Sequence, residues 1–240
     1  MKINQELAEL MGIHIGDGCI SENKRYSEYY LGGDISEEKE YHDKWVSRLF
    51  NKNVMIPLYN KKVNYKEHPK VGIYGFHIFD KKIVNFFNNL GVKSGPKINV
   101  EIPKIILSSE RFTKRFLRGL FDTDGNIYFD KNRAAKDPIN NCPVIQLGTV
   151  SKKLSKQVFE NLVKLGFHPR FKKPHKGKRD KNFVYTVLIY RRGDVRKFIN
   201  EIGFKNSKHY TKWLVFQKFG CCPPKTNLAL RRKVLKQKSL

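Results

Sequence analysis

Apolar residues recur with a helical period in two stretches, residues 10–18 and 117–125, and both stretches end in Asp-Gly: Asp17-Gly18 and Asp124-Gly125. Small residues four apart, Ala8, Gly12 and Gly16 in the first and Gly119 and Thr123 in the second, fall on one face of each predicted helix. Glycine inside a helix costs about 1 kcal/mol relative to alanine. Gly12 and Gly119, at matching positions, therefore predict a close approach of two helix backbones. Neither run is long enough to span a membrane, and both are flanked by charge. Each also sets a carboxylate against the negative end of a helix dipole, a placement disfavoured by about 0.3–1 kcal/mol. A divalent cation held between two such acids would offset that cost and form a metal site on a pseudo-twofold axis. One copy alone reads equally well as a helix stopped by a left-handed glycine after a solvated Asp; the second copy weighs against that.

The pattern repeats beyond these runs. A strand pair ending near residues 29–33 precedes an amphipathic helix from about Glu37 to Phe50, with Tyr41, Trp45, Val46 and Leu49 on its buried face. In the second half, residues 144–148 read as a strand, and Leu154, Val158, Phe159, Leu162 and Leu165 form a helical stripe that stops at Gly166. Residues 82–94 parallel 194–206. The order in each half is thus αββαββα, an α+β chain whose halves cover 1–105 and 106–220. Pro223-Pro224 then breaks the helix before it, and a basic tail, 221–240, follows. Leu228, Leu230, Val234 and Leu235 alternate there with Arg and Lys, which fits either a short helix packed on the body or a mobile basic arm.

Charge points to the partner. Lys and Arg number 48 against 22 Asp and Glu, a net of +26, which makes a polyanion the expected ligand and nucleic acid the obvious one. Basic residues gather in predicted hairpins: Lys61, Lys62, Lys66 and Lys70 in the first half, then Arg170, Lys172, Lys173, Lys176, Lys178, Arg179, Lys181, Arg191 and Arg192 in the second. Tyr59, Tyr65, Tyr185 and Tyr190 lie among them. Lysine at a sheet edge also discourages aggregation, but that role does not account for the whole excess. Of this set, Lys61, Lys62, Arg170, Lys172, Lys173, Lys178, Arg179, Arg191 and Arg192 are the expected DNA contacts, carried by a twisted sheet along a major groove.

The two Asp-Gly runs resemble the motif of the LAGLIDADG homing endonucleases of the single-chain, two-motif type. The first copy keeps Leu10, Gly12, Asp17 and Gly18 but has Ile15 where the family often carries an acid; the second keeps Leu117, Gly119, Leu120, Asp122, Asp124 and Gly125. The resemblance implies two pseudo-symmetric αββαββα halves, each a curved antiparallel sheet with helices on one face, packed through the two motif helices. It implies that Asp17 and Asp124 bind Mg²⁺, with Mn²⁺ as a substitute, and that the carbonyls of Gly16 and Thr123 add ligands. Lys97 and Lys208 are the preferred basic residues beside the reacting phosphate, with Lys93 and Lys205 next, and Gln146 resembles the family's polar residue at the rim of the metal centre. The implied reaction is hydrolysis of both strands of double-stranded DNA at a long asymmetric site, across the minor groove, leaving short 3′ overhangs.

Two further readings come from other classes: an RNA-splicing maturase acting on intron RNA, and a DNA-binding regulator on a degenerate endonuclease fold. Retention of both acids speaks against the regulator. His14 lies within the first motif and is read as a core or flanking contact rather than a general base. The other histidines lack metal-ligand spacing. Residues 72–75 are read as a strand with a bulge. Four cysteines without CxxC spacing argue against a zinc site and a disulfide framework. The opening residues lack a long apolar stretch, so no secretory signal or membrane anchor is expected. The expected setting is the cytoplasm, the nucleoid or an organelle matrix. The chain opens with Met1 and closes with Leu240 rather than His-Asn, so no protein-splicing element is expected; a free-standing or intron-encoded monomer is.

Overall fold

The structure, a computed structural model, describes residues 3–132, 136, 139–178 and 181–237. The first motif forms the helix Gln5–Asp17, opened by Asn4, whose side chain accepts the Leu7 N–H at 2.8 Å. The chain passes from it straight into β1 (Gly18–Glu22), which pairs antiparallel with β2 (Ser27–Asp34). β3 (Lys66–His68) and β4 (Ile73–Ile78) complete a four-stranded sheet of order β1-β2-β4-β3. The second half repeats this with the helix Glu110–Thr123, then β5 (Gly125–Lys131), β6 (Asn140–Thr149), β7 (Arg170–His175) and β8 (Val184–Ile189), in the order β5-β6-β8-β7. All pairs are antiparallel. Both sheets are open, with helices on one face.

Alternation along the strands sets which face is covered. Ile127, Phe129, Ile145, Leu147, Val187 and Ile189 are buried under the helices, whereas Asn126, Tyr128 and Gln146 lie on the opposite, more open face. In the first sheet Tyr29 and Phe76 stack with Phe50 and Phe87 of the covering helices, and His14 stacks on Tyr29 and Phe87 at 5.1 Å. Burial holds the His14 imidazole neutral, its pKa pushed down to about 3, so it is a core residue, as expected.

The helix expected over 37–50 runs further, from 39 to 59, with π turns at His42–Val46 and Asn51–Met55. It ends at Asn60, which takes the left-handed conformation at φ 51°. That length moves Tyr59 onto the helix and leaves Lys61 and Lys62 in the loop before β3 instead of on a hairpin strand. Tyr65, read above as lying among the nucleic-acid contacts, instead stacks on Tyr74 at 5.0 Å and faces His42, inside the aromatic packing. Arg191 and Arg192 are likewise no part of the sheet: β8 stops at Ile189, and they open the helix Arg192–Glu201.

The tail packs on the body as the helix Leu228–Lys236. Arg231, 2% exposed, donates to Thr211 Oγ1 at 2.9 Å, to the Lys208 carbonyl at 3.2 Å and to Glu37 Oε2 at 2.8 Å. It therefore joins the helix Ser207–Phe219 of the second half to the first half. Among the described residues no helix is long and apolar enough to cross a membrane.

Candidate active site and nucleic-acid interface

The two motif helices touch through their small residues. A Cβ built on Gly12 would lie 2.1 Å from the Phe116 carbonyl oxygen and 2.9 Å from the Leu120 nitrogen; one on Gly119 would lie 2.2 Å from the Glu9 carbonyl oxygen and 2.8 Å from the Ile13 nitrogen. The contacts are reciprocal, each glycine meeting the backbone of the opposite helix at the same offsets, which is how a twofold-like seam behaves. Gly16 meets Thr123 at the end of the seam, where its Cβ would come within 1.9 Å of Thr123 Oγ1. The glycines after the acids are required by the preceding turn. Gly18 is extended at φ −87°, not left-handed, and a Cβ there would strike His14; one on Gly125 would lie 2.4 Å from the Phe121 carbonyl oxygen. The chain thus passes from helix into strand without a left-handed cap residue: the Gly18 N–H bonds the His14 carbonyl and the Asp124 N–H the Leu120 carbonyl.

This geometry carries Asp17 and Asp124 to one end of the seam. Burial pushes the Asp17 carboxyl well above the usual carboxylate range, the negative charges of Glu38 and Asp124 push it further, and Lys97 and Lys208 oppose the shift. Asp124 is raised by burial too, with Lys97 opposing, Glu38 adding and Lys208 opposing. Oδ2 of Asp17 is sealed from solvent and has no hydrogen-bond partner. Both acids therefore fit a divalent cation, which would relieve the orphaned oxygen and the mutual repulsion together. Among the described residues no group of three or more His, Cys, Asp and Glu is arranged to hold a metal; the candidate centre is a two-carboxylate one that would draw on main-chain oxygen.

Lys97 Nζ donates to the Gly16 carbonyl, so a cationic group already stands on one expected ligand. The Thr123 hydroxyl donates back to the Gly119 and Leu120 carbonyls at 3.0 and 3.1 Å, leaving only the main chain of Thr123 for a metal. Lys208 pairs with Glu38 at 3.3 Å. Lys205 turns away, its ammonium 4.6 Å over the Trp45 ring, and Lys93 is exposed on the loop between the halves.

Gln146 lies within β6, directly opposite Asn126. The register continues the row from Gln146 to Leu188 and on to Arg170, across all four strands of the open face, with Lys172 opposite Thr186 beside it. Arg170 lies 4.7 Å over the Tyr190 ring. Lys173 is exposed on the edge strand β7, and Lys178 is exposed in the turn after it; Arg179 lies outside the described residues. The matching row of the first sheet is Cys19, Tyr30 and His77, so the two open faces differ in chemistry.

Three residues at the site escaped the sequence reading. Glu38 and Asn206 are buried between the halves, and Lys212 donates to Asn126 Oδ1 at 2.7 Å, its pKa pushed down to about 8 by burial and by Arg231 and Lys208. The charge run around Glu38 reads as a solvated helix start, and nothing local marks it as facing Lys208.

Comparison with known proteins agrees with the fold. Residues 111–203 match the family model of the LAGLIDADG-like domain. Among curated proteins, the replication factor C small subunit of Methanocaldococcus jannaschii is 26% identical over 211 residues, covering 88% of this chain and 10% of that protein. The DNA polymerase of Thermococcus litoralis is 28% identical over 128 residues, 51% of this chain and 7% of that one. The chain thus spans a tenth or less of the length of these two relatives. Among solved structures, the homing endonuclease I-DmoI in complex with DNA and Mn superposes with a TM-score of 0.56 at 20% identity, covering 83% of this chain and 96% of that one. The I-LtrWI LAGLIDADG homing endonuclease bound to target DNA gives 0.58 at 12% identity, covering 90% of each. The fold is that of the two-domain LAGLIDADG proteins. Within it, the part that matches the LAGLIDADG-like domain model lies in the second half.

Proposed function

We propose that the protein is a site-specific double-stranded DNA endonuclease that works with Mg²⁺ or Mn²⁺. The observation that carries this reading is the seam of Gly12 and Gly119, which brings two buried carboxylates, both pushed up from the usual carboxylate range by burial, beside Lys97 and Lys208. A binding protein for a polyanion gains nothing from acids at that point. Structural neighbours described with DNA and with Mn or Mg support the choice of substrate and ion. In this reading residues 1–105 and 106–220 each supply one motif helix and one open sheet face to the duplex.

Asp17 and Asp124 would hold the divalent ions, which supply charge neutralisation at the scissile phosphates and a water activated for attack. Lys97 and Lys208 bring positive charge to the phosphoryl oxygens. The open faces, with Arg170 and Lys172 on the second and Lys173 at its edge strand, would follow the major groove on either side, and cuts across the minor groove between them would leave short 3′ overhangs. Two unlike faces suit an asymmetric site.

Incubation with a randomised duplex library in Mg²⁺, followed by sequencing of cut ends, tests the proposal. The expected products are ends from one long site with a constant short overhang. Asp17→Asn or Asp124→Asn should abolish cutting or reduce it to nicking at unchanged DNA affinity. Undiminished double-strand cutting by either variant would falsify the assignment.

A further inference from the structure

Lys97 reaches the seam from the short turn Lys97–Asn99 near the end of the first half and Lys208 from the first turn of the helix Ser207–Phe219, and they are held in different ways. Lys97 rests on a main-chain carbonyl of its own half. Lys208 crosses to the other half, where its ammonium lies 3.3 Å from Glu38 Oε1. Glu38 is 5% exposed, and its carboxylate is held at both oxygens: Oε2 accepts the Asp34 N–H at 2.8 Å, and Oε1 accepts Asn206 Nδ2 at 2.9 Å. Asn206, fully buried, also binds the second motif. Its N–H donates to Asp122 Oδ1 at 3.0 Å, its Nδ2 to the Asp122 carbonyl at 2.8 Å, and its Oδ1 accepts the Lys208 N–H at 3.0 Å. Gly33 leaves the room this needs, since a Cβ there would lie 2.7 Å from Glu38 Oε2. The matching segment of the second half, 149–155, contains no acidic residue, so Lys97 has no such counterpart.

We propose that Glu38 is a positioning residue for Lys208, fixed by Asn206 across the junction of the halves. The two DNA strands are then served by unequally held lysines, and loss of Glu38 impairs one strand selectively. The argument is geometric. A lysine side chain has several rotatable bonds and little preferred direction, so an ammonium beside a reacting phosphate needs an anchor. A carboxylate already satisfied by two other donors is a rigid one. This inference rests on the endonuclease reading.

The test uses the full chain and a duplex carrying its cut site, with the two strands labelled separately and single-turnover rates measured in Mg²⁺. Glu38→Gln keeps the volume and an acceptor for the Asp34 N–H. It should slow one strand by about tenfold or more while the other changes less than about twofold, so that nicked duplex accumulates. Affinity for the duplex in Ca²⁺ should match the wild type, while the melting temperature falls by a few degrees because the new amide turns a donor toward Asn206 Nδ2, and rates are read well below the melting temperature of both proteins. In a Lys208→Met background, Glu38→Gln should produce no further slowing of that strand, because its effect runs through the ammonium. Equal slowing of both strands, or an added loss in the Lys208→Met background, overturns the positioning role while leaving the endonuclease reading intact. A wild type that cuts no duplex overturns both.

Discussion

At the residue scale, the charged groups packed between the halves are ordered by burial. Asp122 is fully buried and accepts the N–H groups of Lys205 and Asn206 at 3.0 Å, yet burial outweighs those bonds and raises its pKa to about 8. Near neutral pH it is mostly the uncharged acid, facing the Tyr41 hydroxyl at 3.4 Å. Because the folded pKa is raised, its contribution to stability is fully present below the unfolded value near ~4 and is lost as pH rises through about 8. Asp122→Asn, which is neutral throughout, should flatten the fall in melting temperature between those limits. A stability difference between variant and wild type that stays constant from pH 5 to about 9 would contradict this. On the opposite side of the seam, Glu9 has the alternative solution for a buried acid. It bonds Trp45 Nε1 at 2.6 Å and pairs with Arg115 at 2.9 Å.

At the element scale, the seam depends on bare backbone. Gly119→Ala adds helix propensity worth about 1 kcal/mol, but its Cβ would meet the Glu9 carbonyl and the Ile13 nitrogen, neither of which can turn aside. Parting the helices should cost more than is gained, a net destabilisation of about 2 kcal/mol or more in denaturant titrations. Cleavage should fall further than DNA affinity, since Asp17 and Asp124 would be drawn apart. An alanine variant as stable as the wild type would refute close contact at this point. Gly12 should behave alike, given the reciprocal contact. The small-residue spacing made this pairing legible, because a glycine in a helix is costly unless something fills its place. The length of the helix 39–59 was not legible in the same way. Tertiary packing carries it through a π-distorted stretch on past residue 50, where the expected helix ended.

At the scale of the molecule, charge and the tail separate. With a net of +26, affinity for a duplex should be steeply salt-dependent, with a slope of about −0.9 for each phosphate neutralised. The tail contributes to stability rather than to that slope, because Arg231 is buried against Thr211 and Glu37, and the Leu228 N–H donates to Glu37 Oε1 at 2.7 Å. Truncation after Gly220 should lower stability by about 2 kcal/mol, roughly 4–8 °C in melting temperature. The salt slope should change by less than the equivalent of about one phosphate. A large change in slope at constant melting temperature would restore the mobile-arm alternative.

The sequence alone determined the two-fold repetition, the strand–helix order, the pairing of the motif helices and the pair of acids at their ends. All of these follow from local spacing: a period of 3.6 or 2, a glycine where a side chain is costly, an acid at an unfavourable helix end. Tertiary structure decided which cations meet those acids. Lys97 and Lys208 reach the seam while Lys205 turns to Trp45, and Glu38 arrives from a stretch that locally reads as solvent-exposed helix. It also decided that Tyr65 is packed inside, that Arg191 and Arg192 open a helix and that the tail is docked. A long side chain's destination depends on partners far away in the chain, and a sheet's register decides which face each residue serves; neither is encoded in local spacing.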